Sequence, residues 1–403
     1  MVHELVAEKG IESALQYLRE TLSIQVKVVR ETDASGKDGI YMLNYSQIDT
    51  PRGDDIAQMC RSLMINERGE TVSRKLNRFF NYGEMLDITG KIDLTTCSVE
   101  AKEDGSLIGF WFDHVTSRWN ISTRTMAYAD NDIRLKDNSI SKFQDLVLET
   151  LGLRDLGSLS VLMAGLDTKH TYVFEFCHPQ TRVVTPYERG HLFLITIVEN
   201  STAFRACEMS VGNKMDFLNI IKERGALNVS QISSFALDAG VDSLIEYVNK
   251  LPGLREGVVL RNVHGERLKL KSTTYLTAHR IRGEGQEPLD KDLLELVRSG
   301  EVHEFVAYFP EWKERLDKMQ ATIDKAVTEM MVTFEKAQLT FGTHEDKRAQ
   351  AKATASVVMG SHPNKPATTG VLFQSIKYDG TIKQNVSRLG ESAFLNFYQE
   401  WKD

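Results

Sequence analysis

From Val26 to about Leu270 the chain is written as short β-branched and aromatic runs broken by Gly, Asn and Asp: YMLNYSQI, SLIGFWF, RWNISTRT, TYVFEF, HLFLITIV, EGVVLRNV and RLKLKS. Runs this short are strand-sized, and helical patterns separate some of them, around Ser141 to Leu151 and Met215 to Arg224. The expected fold class is α+β, a domain of antiparallel sheets with flanking helices.

The ends of the chain have a different texture. Ile11, Leu15, Leu18 and Leu22 recur at helical spacing, which predicts one packed N-terminal helix within residues 1–22. After Lys271 the strand texture stops. From Pro310 the segment PEWKERLDKMQATIDKAVTEMMVTFEKAQ places Leu316, Met319, Ile323, Val327, Met330 and Phe334 on one helical stripe. Residues 359–370, MGSHPNKPATTG, read as a loop, and ESAFLNFYQEW as a short terminal helix. The expected division is therefore residues 1–275 for the α+β domain and 276–403 for an all-helical C-terminal domain.

Composition limits the class. At 403 residues, 41% hydrophobic and 26% charged, the chain has the balance of a folded globular protein of more than one domain. No apolar run approaches the roughly 20 residues of a membrane span, and MVHELVAEKG has acids where a signal peptide has a basic flank. A cytoplasmic protein with no membrane partner is expected. Cys60, Cys97, Cys177 and Cys207 are too widely spaced for a metal knuckle or a disulfide framework. The net charge of −7 disfavours a general nucleic-acid coat. Arg255, Arg261, Arg267, Lys269, Lys271, Arg280 and Arg282 nevertheless form a local basic stretch on which a polyanion could dock.

Chemistry concentrates in four places. Lys102-Glu103-Asp104-Gly105-Ser106 puts a lysine at a strand end with a glycine close behind, the form a nucleophile needs to reach a nucleoside α-phosphate. Alone it is a weak signal, and a surface turn with a solvated lysine would be the better reading. Tyr172 to Phe176 then sets Glu175 inside an apolar strand, where an unpaired charge is costly. Glu256-Gly257-Val258-Val259-Leu260 repeats the device. Lys269-Leu270-Lys271 places two ammonium groups on one face of a strand, an arrangement a triphosphate would satisfy.

In this order the motifs resemble the ordered set of covalent nucleotidyltransferases, and over most of its length the chain resembles the bacteriophage tRNA-repair RNA ligases, the first-type phage RNA ligase family. Cys60-Arg61-Ser62-Leu63 looks like that family's arginine element, and Asn77-Arg78-Phe79-Phe80-Asn81 like its basic-residue-Phe-Phe-Asn element. The resemblance runs on to Lys269-Leu270-Lys271-Ser272 and Tyr275. It departs from the family at Arg78 and Arg124, where lysines are usual, and a planar fork replaces a point charge. The family's Asn-Arg-Ile-Val type sequence is replaced by Gln180-Thr181-Arg182-Val183-Val184.

The resemblance implies a nucleotidyltransferase domain using ATP and Mg²⁺, with Mn²⁺ able to substitute, and RNA as partner. Lys102 would attack the α-phosphate as a neutral amine, the AMP would pass to an RNA 5′-phosphate, and a 3′-hydroxyl would displace it. Lys269 and Lys271 would join Lys102 in the chemistry, and Mg²⁺, Arg61 and Arg78 would help depress the Lys102 pKa from its usual ~10.4. Glu256 is implied in the metal shell and Glu175 at a ribose hydroxyl. Glu100 could meet the adenine amino group, though a solvated glutamate is the simpler reading. Gly105 and Gly257 would allow close backbone approach, Arg124 would bind the nucleotide, and Phe80 and Tyr275 could stack on it or be core aromatics. A monomer is expected, repairing RNA in the host-cell cytoplasm if phage-encoded. The alternatives are a DNA ligase or mRNA capping enzyme, which carry an OB-fold where this chain turns helical, and a non-catalytic RNA-binding relative.

Overall fold

The computed structural model describes all residues except 35, 37, 136, 206, 238–239, 253–254, 273–274, 277–289, 301, 304–305, 307–311, 342–346, 378–380 and 403. Arg280 and Arg282 of the basic stretch lie outside the described residues. The chain divides into two compact units, residues 1–283 and 284–403. The class is α+β, with antiparallel sheets in the first unit and helices in the second.

The first unit opens with α1 (Val2–Lys9) and α2 (Ile11–Glu20) rather than one helix. Gly10 at φ 75° breaks the run, a conformation glycine adopts without strain. Both helices bury an apolar stripe, including Val6, Leu15 and Leu18, on an antiparallel sheet of β1 (Ile24–Arg30), β2 (Ile40–Tyr45), β3 (Arg61–Asn66) and β4 (Thr71–Ser73). The short helix α3 (Asp55–Met59) feeds β3, its first turn capped by the Asp54 carboxylate.

Two five-stranded sheets follow. Their strands are β5 (Phe80–Asn81), β6 (Ser98–Lys102), β7 (Ser106–Asp113), β8 (Arg118–Ser122), β11 (His170–Cys177), β12 (His191–Glu199), β13 (Val229–Gln231), β14 (Ser234–Ala236), β15 (Gly257–Arg261) and β16 (Arg267–Lys271), with β9 (Asp132–Arg134) and β10 (Ile140–Lys142) forming a separate hairpin. One sheet has the order β13-β12-β11-β7-β8 and the other β14-β6-β15-β16-β5. All pairs are antiparallel except β12 with β13 and β16 with β5. After the one-turn helix α4 (Leu86–Thr89), α5 (Phe143–Leu151), α6 (Leu156–Leu162) and α7 (Val211–Glu223) pack on the first of these sheets, around Phe110, Phe174, Leu194 and Phe217. A second apolar cluster, Val173, Ile195 and Ile232 with Phe79, Ala101 and Leu107, joins the two sheets. A last helix, α8 (Gly240–Asn249), precedes β15.

The second unit has its own core. Helix Lys313–Phe341 buries Leu316, Met319, Ile323, Val327 and Met330 against Leu293, Leu372, Phe397 and Trp401. The loop expected over residues 359–370 narrows to 362–365: one helix runs on to Ser361 and the next begins at Pro366. Proline is compatible with a first helical turn, and Glu400 caps that turn by accepting from the Ala367 and Thr368 amides at 2.7 and 3.0 Å. The cap arrives from 33 residues away, beyond any local sequence pattern.

Candidate active site

Lys102 is the last residue of β6, and the turn after it carries the chain from one sheet to the other. Side-chain bonds fix that turn. Buried Asp104 accepts from the Val184 and Thr185 amides at 2.7 and 2.6 Å and from the Tyr275 hydroxyl at 2.9 Å. The Tyr187 hydroxyl accepts from the Asp104 amide at 3.0 Å and donates to Glu103 at 2.9 Å. A Cβ on Gly105 would stand 2.3 Å from the Phe176 carbonyl oxygen, so the glycine serves the close approach of the turn to β11.

In the sheet ladder Gly257 lies opposite Lys102 on one side and Lys271 on the other. It sits at φ 146°, and a Cβ there would stand 2.1 Å from the Leu270 carbonyl oxygen. This close packing sets the carboxylate of Glu256 between two amines, with Lys102 Nζ at 2.8 Å and Lys271 Nζ at 3.2 Å. Burial raises the Glu256 pKa, but the two lysines outweigh it and hold the group below the usual carboxylate range. The neighbour placed against the Lys102 amine is thus the Glu256 carboxylate, while Arg61 lines the same cavity as Lys102. The anion beside Lys271 likewise belongs to the protein.

Glu175 has the opposite balance. Burial pushes its pKa up to about 7, against the lowering effect of Lys102 and Arg61, and Gly105 donates its amide to the carboxylate at 3.1 Å. A small inter-sheet cavity of about 60 Å³ brings together Lys102, Glu175, Glu100, Arg61 and Val259. Phe79 lines this cavity, whereas Phe80 is buried in β5 and lines a larger one of about 680 Å³ with Arg78. Tyr275 is 2% exposed and its hydroxyl is committed to Asp104, so it is a core aromatic rather than a stacking surface.

Beside this cavity is a cationic cluster centred on Tyr45, a residue the sequence reading missed. The Arg78 and Arg124 guanidinium groups lie 4.3 and 5.0 Å from its ring centre. Arg61 and Lys269 lie 5.3 and 5.4 Å from the centre of the Phe79 ring. Burial raises the Tyr45 pKa, yet Arg61, Arg124, Arg78 and Lys269 together bring it below the ordinary value. Two buried guanidinium donors, Arg61 Nη1 and Arg78 Nη1, have no hydrogen-bond partner. The next residue after Arg61, Ser62, is fully buried at φ 61°, its amide held by Asn44 Oδ1 at 2.9 Å and its hydroxyl donated to the Arg124 carbonyl. Strain of this kind is kept only where the surroundings hold it, and here it ties Arg61 to Arg124.

Unpartnered buried guanidinium groups suit an anion with several oxygens, which planar forks bind in pairs. Among the described residues no group of three or more His, Cys, Asp or Glu side chains could hold a metal ion by itself. Any ion here would take oxygens from a ligand and from a single carboxylate such as Glu256, as Mg²⁺ at phosphates commonly does.

Lys102 at a strand end, Glu256 between two lysines and the adjoining cationic cluster thus meet in one region of the first unit. A family model described as RNA ligase matches residues 59–275, more than half of the chain, and the chain belongs to this phage-type RNA ligase family. It is 28% identical over 325 residues to a protein of Autographa californica nuclear polyhedrosis virus assigned as a bifunctional polynucleotide kinase/RNA ligase. The match covers 77% of this chain but 42% of that relative, so the chain spans less than half of the viral protein's length. Among solved structures, an archaeal ATP-dependent RNA ligase matches at a TM-score of 0.47 and 11% identity, over 94% of this chain and 82% of that one. A Naegleria gruberi RNA ligase mutant with AMP and Mn matches at 0.37 and 12% identity, over 51% and 58%.

Proposed function

We propose that the protein is an ATP-dependent RNA ligase that adenylates its own Lys102. The observation that carries this reading is the lysine-carboxylate-lysine arrangement of Lys102, Glu256 and Lys271, beside a cationic cluster with two unpartnered buried guanidinium donors. The Lys102 amine, neutral when it attacks the ATP α-phosphorus, forms a P–N bond as the bond to pyrophosphate breaks, and the proton the nitrogen gives up leaves with the pyrophosphate or to water. Arg61, Arg78, Arg124 and Lys269 hold the departing phosphates, so positioning and charge neutralisation do most of the work. A carboxylate held below its usual pKa is a weak base, so Glu256 orients the amine rather than taking its proton.

Glu175 and Glu100 line the cavity where adenosine would lie, Glu175 meeting the ribose. Glu256, with the phosphates of ATP, would hold Mg²⁺ or Mn²⁺, which when bound would neutralise the charge that develops on transfer. The AMP then passes to an RNA 5′-phosphate, and a 3′-hydroxyl displaces it to close a phosphodiester. The helical unit would dock the RNA, with a broken tRNA anticodon loop in an infected cell as the substrate.

The test is incubation with α-phosphate-labelled ATP and Mg²⁺, followed by denaturation. Label should stay on the wild-type protein and be absent from Lys102→Ala. Label retained by that variant at the wild-type level would move the nucleophile elsewhere and end this reading.

A further inference from the structure

A second cavity, of about 210 Å³, opens beside Lys102. It shares Lys102 with the inter-sheet cavity but is walled by Glu256, Arg255, Tyr187, Phe235 and Tyr247 instead of Arg61, Glu100 and Glu175. Two of its aromatics are nearly half exposed, Phe235 at 46% and Tyr247 at 48%. Their rings stand edge to face, centres 5.6 Å apart at 77°. Phe235 is the middle residue of β14, an edge strand whose three residues are all exposed. Tyr247 lies on α8, which buries Leu244 and Val248 instead. A large apolar side chain on an exposed sheet edge loses burial energy and invites aggregation, and the contact of the two rings with each other leaves about half of each uncovered. Beside them Arg255 keeps 58% of its side chain exposed, with Glu103 at 3.8 Å.

We propose that this cavity seats the terminal nucleoside of the RNA end that carries the 5′-phosphate, its base stacked on Tyr247 and Phe235 and its phosphate directed to Arg255 and Lys102. The proposal rests on the ligase reading above. If Lys102 carries AMP, an RNA phosphate oxygen must reach the phosphorus on Nζ. A P–O bond then forms, the P–N bond breaks, and the lysine nitrogen takes a proton. The adenosine occupies the inter-sheet side, which leaves the second cavity for the incoming strand. A 5′-phosphate end brings a terminal dianion that Arg255 can meet, whereas a 3′-hydroxyl end brings none. Every base has a stacking face, so the site should tolerate any terminal base.

The test uses the full chain and a short oligoribonucleotide with 2-aminopurine as its first base, carrying either a 5′-phosphate or a 5′-hydroxyl. Titration with wild-type protein should quench the fluorescence. Tyr247→Ala and Phe235→Ala should each weaken binding on the order of tenfold, the scale of one lost base-aromatic stack, while Tyr247→Phe keeps it. Arg255→Gln should weaken the 5′-phosphate probe and leave the 5′-hydroxyl probe unchanged. Unaltered affinity and quenching in both alanine variants would overturn the proposal. A parallel loss of self-adenylation in Tyr247→Ala would also overturn it, by making the rings part of the ATP pocket. A wild-type protein that takes no label from ATP would sink the ligase reading, and the probe titration would still decide whether this site binds RNA ends.

Discussion

Lys102 Nζ and Glu256 Oε2 stand 2.8 Å apart, and the other Glu256 oxygen is 3.2 Å from Lys271 Nζ. One buried carboxylate therefore positions two ammonium groups. Removing it should cost more than removing either lysine, because Glu256→Ala leaves two like charges together, whereas Lys102→Ala leaves the carboxylate still paired. Breaking a buried pair by deleting one partner typically costs about 3–5 kcal/mol, the scale expected for Glu256→Ala. Its folded pKa lies below the usual 4.5, so this stabilisation is present above about pH 4.5 and is lost as pH falls through the folded value. Equal thermal midpoints for the two variants at pH 7 would contradict this.

Glu175 should show the reverse pH dependence. Its pKa is about 7 in the fold against 4.5 ordinarily, burial being the main cause. A raised acid contributes its full stability below pH 4.5 and loses it as pH rises to about 7. Glu175→Gln, which cannot ionise, should therefore gain thermal midpoint relative to wild type between pH 5 and pH 8. A difference that stays constant across that range would show that Glu175 ionises normally.

These relationships were legible in the sequence to different degrees. The strand-end position of Lys102 follows from KEDGS standing between apolar runs, and the ladder that sets Gly257 opposite Lys271 joins two strands visible as EGVV and KLK. Tyr45 could not be read in this way. Nothing near it points to phosphate, and it reaches Arg124 only because β2 pairs with β3 and Ser62 bonds across to the Arg124 carbonyl. The Phe79-Phe80 pair is ambiguous because neighbouring strand residues take different surroundings, and only the fold decides which one lines the Lys102 cavity. The break at Gly10 is invisible to a helical spacing that begins at Ile11.

Lys75, one residue of this region that the motifs do not use, carries a third pH signature. It is 1% exposed, its amine donates to the Thr123 carbonyl at 3.0 Å, and burial with Arg61 nearby lowers its pKa from 10.5 to about 7. Between those values the unfolded chain binds the extra proton, so stability should rise with pH. Lys75→Met keeps the volume and removes the charge. The variant's advantage in thermal midpoint should be largest near pH 6.5 and shrink towards pH 10. An advantage independent of pH would mean that Lys75 stays charged.

Asp104 touches no proposed reacting atom, yet the turn after Lys102 hangs on it. Asp104→Ala leaves the Val184 and Thr185 amides and the Tyr275 hydroxyl without their acceptor, which should cost roughly 2–4 kcal/mol, since bonds to a charged group are the stronger kind. Tyr275→Phe removes one of the three and should cost less, about 1.5 kcal/mol. Self-adenylation should fall in the same order, measured at a temperature where both variants remain folded. If Tyr275→Phe proves the more damaging, the tyrosine has a task besides holding Asp104.

The last prediction concerns the helical unit. Every residue placed in the nucleotidyl site lies between Tyr45 and Lys271, inside the unit that ends at Gly283, while residues 284–403 build their own core around Leu316, Met330, Phe397 and Trp401. A chain ending at residue 283 should therefore keep lysyl-adenylate formation. If the helical unit docks RNA, joining of a broken anticodon stem-loop should fall further than joining of a short unstructured strand, because only a structured RNA needs a shaped surface to hold it. If the helices serve stability alone, both joining reactions should fall together with the thermal midpoint. Measuring midpoint, self-adenylation and both joining rates on one preparation separates the two cases. A well-folded truncated chain that joins both RNAs as fast as the full chain would leave the helical unit without a recognition role.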